Sequence, residues 1–412
     1  MLDGFFRKAT RSDQRTTIEE MLRAPLRKLK ERPSSNYDVG KEGGLEDHMI
    51  KELQIRNYKS VRAADLSCKR VNVFIGPPCS GKSNILQAIA LLNIFGDRNC
   101  MYDDEELNWM LEISCWADVF WGGLHEWHYS REKERPTKYP VSIRALRKSG
   151  ETVTVKVDNA IEIRPAIEED IGVEEEEYHP VECSGSTVAY VVPLSFAYEL
   201  LSRTDLRRFA FYRFRLRRHD DPVPVFIPVE EEVFLAPPFG YNLGLILNRD
   251  EALRQQIEAC TYKLELEKQI WSGENNKVFF KCGRIEGIAF HSLPETLQRF
   301  IFYLTATYHN MEMVVAIDDL DPIYPAYSAC IARAIAANRF NQYFISTHDP
   351  FFLLCLLREV PTKELNVFGT ELDGGETKVR VLIEELEEKV LVEDLYSFFK
   401  FDRQLKAEKG TT

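Results

Sequence analysis

The chain is short of the features that mark several common protein classes. Nine cysteines stand singly, with no Cys-x-x-Cys pair among them. That spacing argues against a thiolate zinc module and predicts reduced, mostly buried thiols. No run approaches the ~18 apolar residues of a membrane helix. The opening MLDGFFRKATRSDQ lacks the long apolar core of a secretory leader. A cytoplasmic, membrane-free location is the expectation. Positive charge is also in deficit: 53 Lys and Arg against 65 Asp and Glu leave a formal net charge of −12. A surface that grips nucleic acid everywhere is therefore disfavoured, although a local basic patch is not. The stretch HEWHYS carries His125 and His128 without the His-Glu-x-x-His spacing, and no Cys or carboxylate cluster completes a zinc set.

What is present is core-forming material. Hydrophobic residues make up 44% and aromatics 11% of the 412 residues, enough to exclude wholesale disorder. That length suggests two or three domains. Residues 1–48 stand apart: TTIEEMLRAPLRKLKERP opens with a Thr17–Glu20 capping box and carries Arg23, Arg27, Lys28, Lys30 and Arg32. The following SSNYDVGKEGG reads as a linker. A compact domain is expected from Met49. Strands are predicted over IKELQIRNY, ADLSCKR and VNVFI, with a helix over 84–95. VSIRALRKSGETVTVKV and LNVFGTELDGGETKVRVLI are hairpins, turned at Ser149-Gly150 and Gly374-Gly375. From KVFFKC onward, short strands alternate with helices, which predicts a mainly parallel, buried sheet.

The strongest chemical signal is GPPCSGKS, which fits G-x-x-x-x-G-K-[ST] between an apolar strand and a helix. Phosphate oxygens need successive backbone N–H groups curled round them at a helix N-terminus. Gly76 and Gly81 permit the curl, and Pro77, Pro78, Cys79 and Ser80 complete the loop. Lys82 is placed to reach the terminal phosphates, and the Ser83 hydroxyl to hold Mg²⁺. The same chemistry needs a carboxylate at the tip of a neighbouring buried strand. MVVAIDD supplies Asp318 for the metal and Asp319, one residue on, as a general base. QYFISTHDP then places His348 just past a second apolar strand, where a γ-phosphate could be sensed.

With those residues in view, the chain resembles ABC-type ATPases of the RecF/SMC/OLD kind. IKELQIRNYKSV followed by GKSN, with Asn84 closing the motif, resembles their N-terminal lobe. MVVAIDDLDPIYPAYSACIARAIAANRFNQYFISTHDPFFL resembles their C-terminal lobe, and GYNLGLIL a segment between the two. The resemblance implies an α/β P-loop head: a mixed or parallel sheet core, an antiparallel β lobe and an inserted α/β lid. In those terms 1–48 is a basic arm, 49–105 the N-terminal lobe, 106–275 the insert and 276–412 the C-terminal lobe. It implies ATP and Mg²⁺ as ligands, and homodimers or higher homo-oligomers with ATP sandwiched between heads. Asp318 then takes the metal-ligand role, Asp319 the place of the catalytic glutamate, and His348 that of the switch histidine. Thr296, beside Glu295, falls at the contact with the partner head. Three departures stand out: Asp319 is one methylene shorter than glutamate, LPETLQR lacks a Ser-Gly-Gly core, and Leu320-Asp321 replaces Pro-Glu.

By the same resemblance, the setting is bacterial antiviral defence or DNA maintenance. The defence reading adds a separate nuclease or toxin as effector, because the stretch after His348 is too short for an appended nuclease domain. A non-hydrolysing ATP-loaded scaffold is the alternative. A DNA clamp is a third reading: FAFYRFRLRR puts Arg213, Arg215 and Arg217 on one face of a strand. That strand could equally be half-exposed and paired with the acidic loop 168–177. Trp109, Trp116, Trp121 and Trp127 are expected to serve core or interface.

Overall fold

The computed structural model describes residues 46–94, 104–113, 116–121, 140–150, 152–157, 179–184, 188–192, 209–216, 234–261, 264–267, 279–282, 284–321 and 324–383. The first strands, β1 (Ile50–Tyr58) and β2 (Val61–Ser67), form an antiparallel hairpin. Both alternate between buried and solvated positions, as strands with one wet face do. β3 (Val71–Ile75) is buried throughout and feeds α1 (Lys82–Ile94), which begins at Lys82 rather than Asn84. After α2 (Asp104–Leu111), the hairpin β4 (Val141–Arg147) and β5 (Thr152–Val157) extends the first sheet, followed by β6 (His179–Ser184) and β7 (Val188–Val192). That sheet is antiparallel, in the order β2-β1-β4-β5-β6-β7.

β8 (Phe209–Arg213) lies outside the antiparallel sheet, parallel to a later strand over Val314–Asp318. Two short helices, α3 (Leu243–Arg249) and α4 (Glu251–Cys260), come next. Asp250 caps α4 by accepting from the Leu253 N–H at 2.9 Å. β9 (Leu264–Glu267), β10 (Phe279–Cys282) and β11 (Ile285–Ala289) form a separate antiparallel sheet. KVFFKC is thus a strand but not part of the parallel core expected from the alternation. The remaining elements are α5 (Glu295–Tyr308), β12 (Val314–Asp318), α6 (Pro325–Ala337), β13 (Gln342–Ser346), α7 (Pro350–Glu359), β14 (Leu365–Asp373) and β15 (Glu376–Val381). The core sheet runs β15-β14-β3-β13-β12-β8, parallel except for the edge strand β15.

The period-two alternation of strands sorts the core into two apolar layers. Val71, Val73, Ile75, Val315, Ile317, Tyr343 and Ile345 face the layer of α3 to α7. Phe74, Phe209, Phe211, Val314, Ala316 and Phe344 face α1, which is itself covered by the antiparallel sheet. α1 is apolar on nearly every side because it lies between two sheets. Gln342 joins those sheets: its amide accepts from Ile50 N and donates to Ile50 O, both at 2.7 Å. The described part of 106–275 is woven into both, with β4 to β7 in one and β8 in the other.

Two expectations are corrected here. Cys260 and Cys330 form a disulfide rather than staying reduced, because α4 and α6 pack with those Cα atoms 6.6 Å apart. Cys68 and Cys355 are the buried free thiols expected, and Cys79 is exposed. The arginine stretch is not one long strand with an open basic face: β8 ends at Arg213 and is buried from Phe209 to Tyr212 as one strand of the core sheet, while Arg213 and Arg215 are partly buried and Leu216 is exposed. Of the tryptophans, Trp109 is half exposed at 50%, under the Arg215 guanidinium at 4.3 Å, and Trp121 is partly buried beside Arg62. The arm, the acidic loop, Arg217, His125, His128 and Trp127 lie outside the described residues, as does the Trp116 side chain. Among the described residues no helix is long and apolar enough to cross a membrane.

Candidate functional site

The loop between β3 and α1 is held in shape from behind. Gly76 (φ 154°) and Gly81 (φ 91°) adopt backbone angles that side chains rarely tolerate. A Cβ at Gly76 would sit 2.3 Å from the Thr370 carbonyl oxygen, and one at Gly81 would sit 1.9 Å from Thr377 Oγ1. The backing residues come from the β14–β15 hairpin. Thr370 and Ser80 share a hydroxyl–hydroxyl bond of 2.6 Å, and Thr377 and Ser60 one of 2.7 Å. Asn84 donates to Ser60 at 2.7 Å, which fixes the start of α1 against the β1–β2 turn. Pro78 and Cys79 form the exposed crest.

Lys82 is folded into the loop. Its ammonium donates to the carbonyls of Gly76 and Pro77, at 3.0 and 2.9 Å. Burial lowers its pKa to about 8, opposed by the negative charge of Asp319, Asp318 and Asp321. Ser83 is partly buried in the first turn of α1. The first turn of that helix carries no acidic side chain to compete for an anion.

The carboxylates are placed by strand parity. Val314 and Ala316 face α1, so Asp318, two residues on, faces it too. Ser346 shares that face at the end of β13 and donates to Asp318 Oδ1 at 2.5 Å. The chain then turns sharply, with Asp319 at φ 54°, a left-handed angle that Asp accepts more readily than most residues. The turn is pinned by the Asp319 N–H to Ser346 Oγ at 2.8 Å and by the Tyr303 hydroxyl to the Asp319 carbonyl at 2.9 Å. Burial, then the neighbouring Asp318, push the Asp319 carboxyl up to about 6. A base with that pKa is still mostly ionised at neutral pH.

Asp321 supports the other side of the site. Its Oδ1 accepts from Thr347 Oγ1 at 2.7 Å and from the His348 N–H at 2.8 Å. Burial, then the charge on Lys82, lower the His348 pKa and keep its imidazole neutral. Gly76 to Asn84, Asp318, Asp319 and His348 are therefore gathered along the C-terminal edge of one parallel sheet, where such sheets bind ligands. Thr296 is not gathered with them. It is the second residue of α5 and partly buried, beside an exposed Glu295 that pairs with Arg299 at 2.8 Å. Tyr303, further along the same helix, reaches Asp319 instead. At the ~1.5 Å helical rise per residue it lies roughly 10 Å from Thr296 along the axis.

One residue at this edge has a place that its sequence pattern did not suggest. Arg213 is the register partner of Asp318 across the β8–β12 pair, and its guanidinium bonds Asp318 Oδ2. It also pairs with Glu112 Oε1 at 2.9 Å. Burial alone would lower the Arg213 pKa, but Asp318 and Glu112 outweigh it and raise it. Glu112 in turn accepts from Gln87 of α1 at 2.9 Å. Lys59 donates to Gln87 at 2.8 Å and to the Leu111 carbonyl. Only an alignment of the two strands could have exposed this pairing, since 105 residues separate its members. Asp321, Ser346, Tyr303, Thr370 and Thr377 were missed for the same reason: each acts through a contact distant in sequence.

The oxygen donors fit a hard dication. Among the described residues no cluster of three or more His, Cys, Asp or Glu could hold a metal by itself. A serine hydroxyl with one carboxylate is the sparse set that Mg²⁺ takes when phosphate oxygens complete its shell. Asp318 already faces a cation, the Arg213 guanidinium, which stands where positive charge is wanted.

No protein-family profile matches the chain, and no curated protein matches it. Among solved structures it is similar to an SMC head domain from Thermotoga maritima, at 14% identity and a TM-score of 0.41, covering 81% of this chain and 98% of that one.

Proposed function

We propose that the chain binds ATP with Mg²⁺ and hydrolyses it slowly, as an ABC-type head that closes on a second copy of itself. One observation carries the reading: a complete phosphate loop, two consecutive aspartates and a histidine meet at the ends of neighbouring strands along the edge of a single parallel sheet.

The loop N–H groups and the α1 N-terminus bind the phosphates, and Lys82 exchanges its carbonyl partners for phosphate oxygens. Ser83 and Asp318 would hold the metal, which neutralises phosphate charge when bound. Asp319 takes a proton from the attacking water, and His348, held by Asp321, contacts the terminal phosphate. Asp319 reaches about 1.5 Å less far than a glutamate would, one C–C bond. Reaction geometry is sensitive on that scale, so turnover at or below ~1 per second is expected, the low end for enzymes.

Closure on a second copy would bring Thr296 of one head to the nucleotide of the other, and control of a separate effector would follow from that closure. Of the arginines behind the DNA-clamp alternative, Arg213 is engaged by Asp318 and Glu112 and Arg215 lies over Trp109, while Arg217 and the basic arm lie outside the described residues. Equilibrium binding of a fluorescent ATP analogue and phosphate release, compared with Lys82→Ala and Asp319→Ala, test the reading. Binding unaffected by Lys82→Ala would remove the nucleotide site. Wild-type turnover no faster than Asp319→Ala would remove hydrolysis and leave an ATP-loaded scaffold.

A further inference from the structure

The Arg213 guanidinium and a divalent metal would compete for the same carboxylate. Asp318 is fully buried, and both its oxygens are already satisfied: Oδ1 by the Ser346 hydroxyl at 2.5 Å and Oδ2 by Arg213. A buried carboxylate without a partner is costly, so an internal cation keeps this one tolerable when the site is unloaded. A dication arriving at Oδ2 meets that guanidinium, and two positive charges repel strongly across one desolvated oxygen.

Arg213 has somewhere else to go. Glu112, with its side chain 55% exposed, already accepts from the other arm of the guanidinium at 2.9 Å. Tyr58, fully buried and under the influence of both Glu112 and Arg213, has a hydroxyl with no hydrogen-bond partner among the described residues. A phenol oxygen can accept an Arg N–H. The β8–β12 register fixes the Arg213 backbone opposite Asp318, so any change of partner falls to its side chain.

We propose that Arg213 is a positioning residue that neutralises Asp318 until a divalent metal arrives with nucleotide, and then passes to Glu112 and Tyr58. Metal loading is thereby felt by the α1–α2 side of the molecule, through Glu112 and its partner Gln87. This rests on the reading of Asp318 as a metal ligand. It predicts that Arg213 sets how much Mg²⁺ the site needs, a quantity separate from turnover.

The test is a Mg²⁺ titration of fluorescent ATP-analogue binding to the full chain, read as the Mg²⁺ midpoint. Arg213→Gln should lower the midpoint about tenfold or more, the scale of one hydrogen bond to a charged group. Glu112→Gln should raise it, because the displaced guanidinium loses its waiting partner. An Arg213→Gln midpoint that is unchanged or higher overturns the proposal. Where Arg213→Gln does not fold, as judged by circular dichroism, Glu112→Gln decides alone: an unchanged or lower midpoint overturns it. Wild-type binding insensitive to Lys82→Ala would instead show that the nucleotide-site reading has failed, and this inference would fall with it. Wild-type binding lost in Lys82→Ala, with no shift in either midpoint, refutes only the role of Arg213.

Discussion

The Arg213–Asp318–Glu112 chain predicts an order of stability losses that a symmetric ion pair would not. Arg213→Met leaves Asp318, with no exposed surface at all, as an uncompensated buried charge. Removing one member of such a pair costs roughly 3–5 kcal/mol. Asp318→Asn leaves Arg213 with its second acid, Glu112, and keeps an acceptor for Ser346, so its cost is that of weakened hydrogen bonds, about 1–2 kcal/mol. Glu112→Gln exchanges a mostly solvated contact and should cost under about 1 kcal/mol. The expected order is therefore Arg213→Met, then Asp318→Asn, then Glu112→Gln. Urea unfolding followed by circular dichroism reads it as shifts in midpoint. Thermal melting is less sensitive in a chain of 412 residues. With an unfolding entropy of about 2.1 cal/mol/K per residue, a loss of ~4 kcal/mol moves the melting temperature by only about 4–5 °C. Asp318→Asn proving as damaging as Arg213→Met, or Arg213→Met costing under about 1 kcal/mol, would refute the claim that Asp318 depends on Arg213 for its charge balance.

Other outcomes follow from the same geometry. Gly81→Ala drives a methyl to within 1.9 Å of Thr377 Oγ1 at a φ of 91°; nucleotide binding should be lost, and binding retained at wild-type strength would show that the loop is not so constrained. Asp321→Ala removes the shared acceptor of Thr347 and His348, costing about 1–3 kcal/mol; phosphate release should fall more than ATP-analogue affinity, and an equal fall in both would argue against a role in holding His348. The Arg70–Glu364 pair gives a pH test. Burial alone would raise the Glu364 carboxyl, but the hydrogen bond and charge of Arg70 hold it below its ordinary value. A depressed folded pKa stabilises above the unfolded value, near 4.3, and that contribution is lost as pH falls through the folded pKa. The stability gap between wild type and Glu364→Gln should be full at neutral pH and narrow as pH falls below about 4; a gap that widens on acidification would contradict the pairing.

Much of the architecture was legible because its signals are local. The hairpins at Ser149-Gly150 and Gly374-Gly375 announce themselves by turn chemistry between alternating runs, and both form. β10 misled because a four-residue apolar run carries no sign of whether its neighbours will be parallel or antiparallel. Cys260 and Cys330 misled because their meeting depends on how two helices cross.

At the candidate site the division is sharper. The phosphate-loop motif is contiguous, with its glycines, lysine and serine inside one short stretch from Gly76 to Ser83, so spacing alone defines it. The placement of Asp318, Asp319 and His348 was readable because a buried apolar strand that runs out into polar residues sets them at the sheet edge, although Asp318 itself is fully buried there. What sequence could not determine is what each of those groups is bonded to. Arg213 seemed to belong to a basic stripe until parallel pairing of β8 with β12 set it opposite Asp318, and Asp321 seemed a substitute for glutamate until the chain crossed to β13 and set it under Thr347 and His348. A motif fixes chemistry through neighbours in the chain. The register of a parallel sheet is a tertiary property, chosen by burial of whole strands, and it alone decides which charges meet.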